Sequence, residues 1–212
     1  MTTVIITLSN KPDYLPEAVA SVERQTRTDY LHVVGYDTPG RDWGGLYPPG
    51  VWYNRCATAA GPDDYVCWLS DDDLLLPHYV ATLAGALDEH PEWGAVYGGS
   101  EQWGLWQGQT WKTRDFPANR VYDAACLPSC QIDGGQMLVR RSVLAQLAAP
   151  WHPVALQNCH ISDGLLMNRV AMLTPLMPVG VQVMVNRKVD QSCHWRATDL
   201  GKLGPGRGAR RD

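Results

Sequence analysis

The chain has 212 residues, 45% of them hydrophobic and 19% charged, with a net charge of −4. That is room for one substantial α/β domain, and the acidic balance argues against nucleic acid as its main partner. No apolar stretch approaches the ~20 residues of a membrane span and residues 1–20 carry no signal-peptide pattern, so a cytoplasmic protein with six reduced cysteines is expected.

Val4-Ile5-Ile6-Thr7-Leu8 reads as a buried strand, and Ser9-Asn10-Lys11-Pro12-Asp13 as the turn into a helix marked by Leu15, Val19 and Val22 and ending near Gln25. Leu31–Val34 is a second strand, so the chain opens as a βαβ unit of a parallel sheet. Residues 37–52 read as a Gly-, Pro- and Trp-rich loop, followed by a short helix at Asn54–Ala60. Tyr65–Leu69 is apolar, aromatic and β-branched, as a core strand should be.

Asp71-Asp72-Asp73 follows that strand directly, and Leu74-Leu75-Leu76-Pro77 then leads into a helix reaching about His90. Three adjacent carboxylates repel each other and call for a counter-charge. Oxygen ligands suit Mg²⁺ or Mn²⁺, which commonly sit between carboxylates and substrate phosphates. An acidic turn capping the next helix would also explain them.

Ala95–Tyr97 is a further short strand. Residues 99–120, with Trp103, Trp106 and Trp111 among Gly and Gln, read as a turn-rich stretch whose Trp faces suit stacking as well as ordinary packing. Gln136–Val139 reads as a strand and Arg141–Leu147 as a helix. A further helix begins near Ser162 or Asp163, and Val179, Val181, Val183 and Val185 alternate as in a half-buried strand. Cys126, Cys130, His152, Cys159 and His160 fit no usual zinc spacing. Residues 201–212 form a Gly-rich basic tail.

Ligands of parallel α/β sheets bind beyond the carboxyl ends of the strands, and Thr7-Leu8-Ser9, Asp37 and Asp71–Asp73 all fall there. Four stretches then resemble the inverting nucleotide-sugar glycosyltransferases of family 2, of the kind that includes spore-coat polysaccharide enzymes. VIITLSNKPDYLPEAVASVERQT, from Val4 to Thr26, is similar to the family's opening strand, turn and helix. Asp64–Pro77 is similar to its strand and DXD-type motif, with Ser70 where a further Asp is usual. Ile161–Arg169 resembles the segment carrying the catalytic base, and Val189–His194 a late segment that closes over the diphosphate.

The resemblance implies a GT-A fold: a Rossmann-like, mostly parallel sheet flanked by helices, in one domain over 1–200. Its nucleotide half would be 1–100 and its acceptor half 101–200. It implies Mn²⁺ or Mg²⁺ at Asp71, Asp72, Asp73 and His194. A nucleotide-sugar donor, with UDP the expected nucleotide, would meet Thr7, Leu8, Ser9, Asp37, Arg55, Asp71 and Asp72. The acceptor would be a glycan, protein or small-molecule hydroxyl beside Trp103, Trp106 and Trp111, and a homodimer is compatible with such a chain. Asp163 is the candidate base, although Ser162-Asp163 before a helix is also what an N-cap looks like; Asp133 and Glu101 are next in line. Arg55 could equally form a surface ion pair, and His194 be an ordinary surface residue. A silent sugar- or nucleotide-binding module and a sugar-nucleotide nucleotidyltransferase remain as alternatives, the latter disfavoured because Thr7–Tyr14 has no glycine.

Overall fold

The computed structural model describes residues 1–37, 44–45, 48–106, 109–123, 132–151 and 161–189. Its elements in chain order are β1 (Thr3–Ser9), α1 (Leu15–Glu23), β2 (Tyr30–Tyr36), α2 (Pro48–Cys56), β3 (Tyr65–Trp68), β4 (Leu74–Leu75), α3 (Tyr79–Glu89), β5 (Ala95–Trp106), β6 (Gln109–Phe116), β7 (Met137–Arg140), α4 (Arg141–Leu144), α5 (Ser162–Ala171) and β8 (Leu176–Lys188). Single 3₁₀ turns stand at Ala57–Ala59 and Gly134–Gln136.

The strands form one sheet in the order β2-β1-β3-β7-β5-β8-β4, with β6 paired to β5. β1 is parallel to β2 and β3, and β5 to β8, whereas β7, β6 and β4 run against their neighbours. Strands β1, β2, β3, β5 and β8 therefore all point one way.

Period-2 alternation sends the two sides of each strand into separate cores. Val4, Ile6, Val66, Trp68 and Val139 pack with Tyr53 of α2 and Leu166, Met167 and Val170 of α5. Ile5, Cys67, Leu69 and Leu138 pack with Ala18 and Val22 of α1 and Val80, Leu83 and Leu87 of α3. Each fully buried Val, Leu, Ile or Met side chain among them contributes about 1.5–3 kcal/mol. The α1 face that enters the core is Leu15, Ala18 and Val22, with Val19 left half-buried. Ser21 and Gln25 continue that face as polar clamps. Ser21 Oγ accepts from Leu75 N–H, and Gln25 takes Val80 N–H while donating to Leu76 O, which ties the chain after the acidic triplet to α1.

Four expectations change. α2 begins at Pro48, where two prolines without N–H groups suit a first helical turn. Leu74–Leu75 is a short strand on β8 rather than a bare lead into α3. The supposed turn-rich stretch after Tyr97 is the β5–β6 hairpin, twelve and eight residues long. Its glycines serve close packing rather than turns: a Cβ at Gly98 would lie 2.5 Å from Val183, one at Gly99 2.8 Å from the Ala118 backbone, and one at Gly104 2.6 Å from the Trp111 ring. α4 also ends at Leu144, short of the expected Leu147.

Candidate active site

The β4–β8 pairing sets the geometry around the acidic triplet. Leu74 lies opposite Val185, so the antiparallel register carries Asn186 and Arg187 back past Asp73 and Asp72. Asp73 Oδ1 accepts from Arg187 N–H at 2.7 Å and its Oδ2 from the Asn186 side-chain amide at 3.0 Å. Asp71 is held from the other side: its Oδ2 accepts Asn10 N–H at 2.8 Å and Lys11 N–H at 2.5 Å, which pins the β1–α1 turn. Lys11 Nζ lies 3.2 Å from Asp71 Oδ1 and 3.1 Å from Asp72 Oδ2. All three carboxylates are buried.

A lysine thus supplies part of the counter-charge that the triplet demands. It does not supply all of it. Burial, and then the charges of Asp72 and Asp133, push the Asp73 carboxyl well above the usual carboxylate range, with Lys188 pulling the other way. Arg187 reinforces the rim. Its Nε donates to Asp72 O and its Nη1 pairs with Glu17, while the guanidinium lies 5.7 Å from the Tyr14 ring.

The Gly134–Gln136 turn, which leads into β7 beside β3, brings in two further carboxylates. Asp133 caps this turn, accepting Gly135 N–H on Oδ1 and the Asn186 amide on Oδ2 at 3.0 Å. Gly134 N–H donates to Asp163 Oδ2 at 3.2 Å. The helix-cap reading of Asp163 is not met: the N-cap of α5 is Ile161, and Asp163 lies inside the helix. Asp163 instead leans toward Gly134, and a Cβ there would meet both Trp151 and the Asp163 carboxyl, at 3.2 and 3.4 Å. Burial, then the Asp133 charge, raise the Asp163 carboxyl to about 7, against the opposing pull of Gly134 N–H and Lys188. Beneath them Tyr53, Trp68 and Trp151 form an aromatic cluster with centroids 5.0 to 6.4 Å apart. Burial, and then the charges of Asp163, Asp71, Asp73 and Asp133, raise the Tyr53 hydroxyl well above its ordinary value.

The other expected residues divide. Thr7, Leu8 and Ser9 are buried at the end of β1, and Ser9 O accepts Asp37 N–H at 2.8 Å, so Ser9, Asp37 and Asp71 meet at the carboxyl ends of β1, β2 and β3. Thr7 Oγ1 lies 3.1 Å from His32 Nε2, and burial lowers the His32 imidazole to about 4. Arg55 is exposed at the end of α2. Trp103 and Trp111 sit on opposite faces of the hairpin, because Trp103 pairs with Lys112 and Gly104 with Trp111. They cannot form one floor. Trp103 donates to Glu101, whereas Trp111 shares the face of Gln102, whose amide reaches Asn186. The Trp106 side chain and His194 lie outside the described residues.

Lys11, Asn186, Arg187 and Tyr53 were not anticipated as site residues. The one available signal was a polar run, Asn186-Arg187-Lys188, closing an otherwise apolar strand.

Among the described residues, no group of three or more His, Cys, Asp or Glu is prearranged to hold a metal ion. The donor set nevertheless fits a hard divalent cation. Asp71, Asp72 and Asp73 are buried oxygen donors of the kind such ions take, and burial, then the charges of Asp72 and Asp133, disfavours a bare charge on Asp73.

No family model matches the chain. Among solved structures it is similar to residues 1–349 of TarS from S. aureus in complex with UDP-GlcNAc, with a TM-score of 0.65 at 13% identity over 89% of this chain. The same protein in complex with UDP gives 0.64 at 12% identity over 94%. The mannosyltransferase PcManGT from Pyrobaculum calidifontis, in complex with GDP-Man and Mn²⁺, gives 0.55 at 14% identity over 87%. The chain spans 59% of the first of these, 64% of the second and 56% of the third. At such identities the likeness is one of fold: a mixed α/β domain of the GT-A type, built on a curled central sheet.

Proposed function

We propose that the chain is an inverting, divalent-cation-assisted hexosyltransferase that moves a sugar from a nucleoside diphosphate, UDP in the first instance, to an acceptor hydroxyl. The observation that carries this reading is a single connected row of carboxylates: Asp73 and Asp133 on the Asn186 amide, and Asp163 on the next residue's N–H. The fold neighbours captured with UDP-GlcNAc and with GDP-Man and Mn²⁺ support the same class of donor.

In this reading Asp72 and Asp73 would hold Mn²⁺ or Mg²⁺. Bound there, the ion would supply Lewis-acid stabilisation of the charge gathering on the leaving diphosphate. Asp71 keeps the β1–α1 turn in place, so that Ser9 and Asp37 line the nucleoside end. Asp163 accepts the acceptor hydroxyl's proton as attack proceeds. A carboxyl raised to about 7 is a stronger base than an ordinary aspartate and is still ionised in mildly alkaline solution. The aromatic cluster beneath it keeps that carboxyl poorly solvated.

A donor-hydrolysis screen tests the reading. UDP- and GDP-sugars are incubated with the chain and Mn²⁺ or Mg²⁺, and free diphosphate is measured. Release from at least one donor, abolished by chelator, is the expected result. No release and no binding of any nucleoside diphosphate would contradict it.

A further inference from the structure

Lys11 stands where a divalent cation would be drawn. Its ammonium bridges Asp71 Oδ1 at 3.2 Å and Asp72 Oδ2 at 3.1 Å, and its side chain is 14% exposed. A metal ion taken up by Asp72 would therefore meet a positive charge already bound to the same carboxylate. Two cations at such range repel strongly in a poorly solvated pocket, so one must yield.

Lys11 is built to be the one that moves. Its backbone is fixed by its own N–H on Asp71 Oδ2 and by the carbonyl that accepts Tyr14 N–H, so the turn holds while the side chain departs. The ammonium rides a flexible four-carbon stem and can redirect its three donors to new oxygens. A second buried donor stands near the acid triplet. Arg187 Nη2 has no hydrogen-bond partner among the described residues, although the same guanidinium donates through Nε to Asp72 O. A buried guanidinium nitrogen without an acceptor calls for an anionic oxygen.

We propose that Lys11 is an exchangeable internal counter-ion. Without nucleotide it neutralises Asp71 and Asp72 and keeps divalent metal out. When a nucleoside diphosphate enters, its oxygens take the Lys11 ammonium, and Asp72 is released to the metal that arrives with the diphosphate. The hand-over rests on the nucleoside-diphosphate reading above. It makes metal and nucleotide enter as a coupled pair, each improving the other's affinity.

Calorimetry on the full chain with Mn²⁺ alone, UDP or GDP alone, and Mn²⁺ with each nucleotide tests this, using wild type, Lys11→Gln, Lys11→Met and Lys11→Arg, with thermal melts to establish folding. Removing the charge should let Mn²⁺ alone bind about 10- to 100-fold more tightly, the range of a charge-assisted hydrogen bond lost by the competitor. UDP binding in the presence of Mn²⁺ should weaken in the same two neutral variants. Lys11→Arg should retain the weak metal binding of wild type. This opposite movement of metal and nucleotide affinity separates an exchangeable counter-ion from a merely structural lysine, whose loss would weaken both. Unchanged or weaker Mn²⁺ binding in Lys11→Gln and Lys11→Met would overturn the proposal, as would wild type binding Mn²⁺ equally well with and without UDP. If wild type bound neither UDP nor GDP at all, the nucleotide reading itself would fall and the hand-over with it. The Mn²⁺-alone comparison would still decide whether Lys11 keeps metal off the carboxylates.

Discussion

Asp73 and Asp133, 60 residues apart in the chain, share one nitrogen: the Asn186 side-chain amide donates to an oxygen of each at 3.0 Å. Two carboxylates held this way are kept close without a cation between them. Replacing Asn186 by Leu would leave both with one donor fewer and bring their repulsion forward. A loss of about 1–3 kcal/mol in urea unfolding is expected, the range for orphaning a buried acceptor. A variant as stable as wild type would mean that the amide is dispensable.

Asp163→Asn tests the proposed base. Turnover should fall by about 10²–10⁴, the usual range for loss of a general base, with donor affinity nearly unchanged. In wild type the transfer rate should climb as pH rises through about 7, where the Asp163 carboxyl loses its proton. A flat profile across that range would remove Asp163 from the proton transfer.

The same substitution has a stability consequence of opposite sign. A carboxyl whose folded value is raised favours folding while protonated, and that advantage is lost as pH climbs from its unfolded value toward about 7. Asp163→Asn should therefore be more stable than wild type above pH 7 by about 1–3 kcal/mol, discounted because Asp163 is only half-buried. The difference should vanish below about pH 4, where both side chains are neutral. Denaturant midpoints at the two pH values measure it. A destabilised variant at pH 8 would contradict the burial and repulsion assigned to this group.

The parts of the site legible in the sequence were those whose signal is local. β1, β3 and the triplet form contiguous runs, so strand ends and carboxylates could be read together. Asp163 could be singled out but not separated from a helix cap, since that choice depends on where its carboxyl turns, and Gly134 lies 29 residues away. Lys11 reads in sequence as part of a turn, because its partners, Asp71 and Asp72, lie about 60 residues on. The β5–β6 hairpin was missed for a different reason. Glycine in sequence signals a turn, whereas Gly98, Gly99 and Gly104 are there to let Val183, Ala118 and Trp111 approach. β4 is two residues long and exists through β8 alone, so no periodicity could announce it.

Gly98→Ala checks that account of the hairpin. The new methyl would lie 2.5 and 2.6 Å from the two Val183 methyls and 2.7 Å from Val181 O, a backbone atom that cannot step aside cheaply. Thermal unfolding should reveal a loss of about 1–3 kcal/mol, the typical cost of overpacking. An unaffected melting temperature would show that β5 and β8 can part without penalty.

In the proposed reaction the acidic cluster binds a nucleoside diphosphate through a divalent cation. Calorimetric titration of UDP into wild type and Asp72→Asn, each with Mn²⁺ and with chelator, decides this. Wild type should bind UDP at least about tenfold more tightly with Mn²⁺, a gain of roughly 1.4 kcal/mol, and Asp72→Asn should lose most of that gain while melting normally. Equal UDP affinity with Mn²⁺ and with chelator in wild type would contradict it.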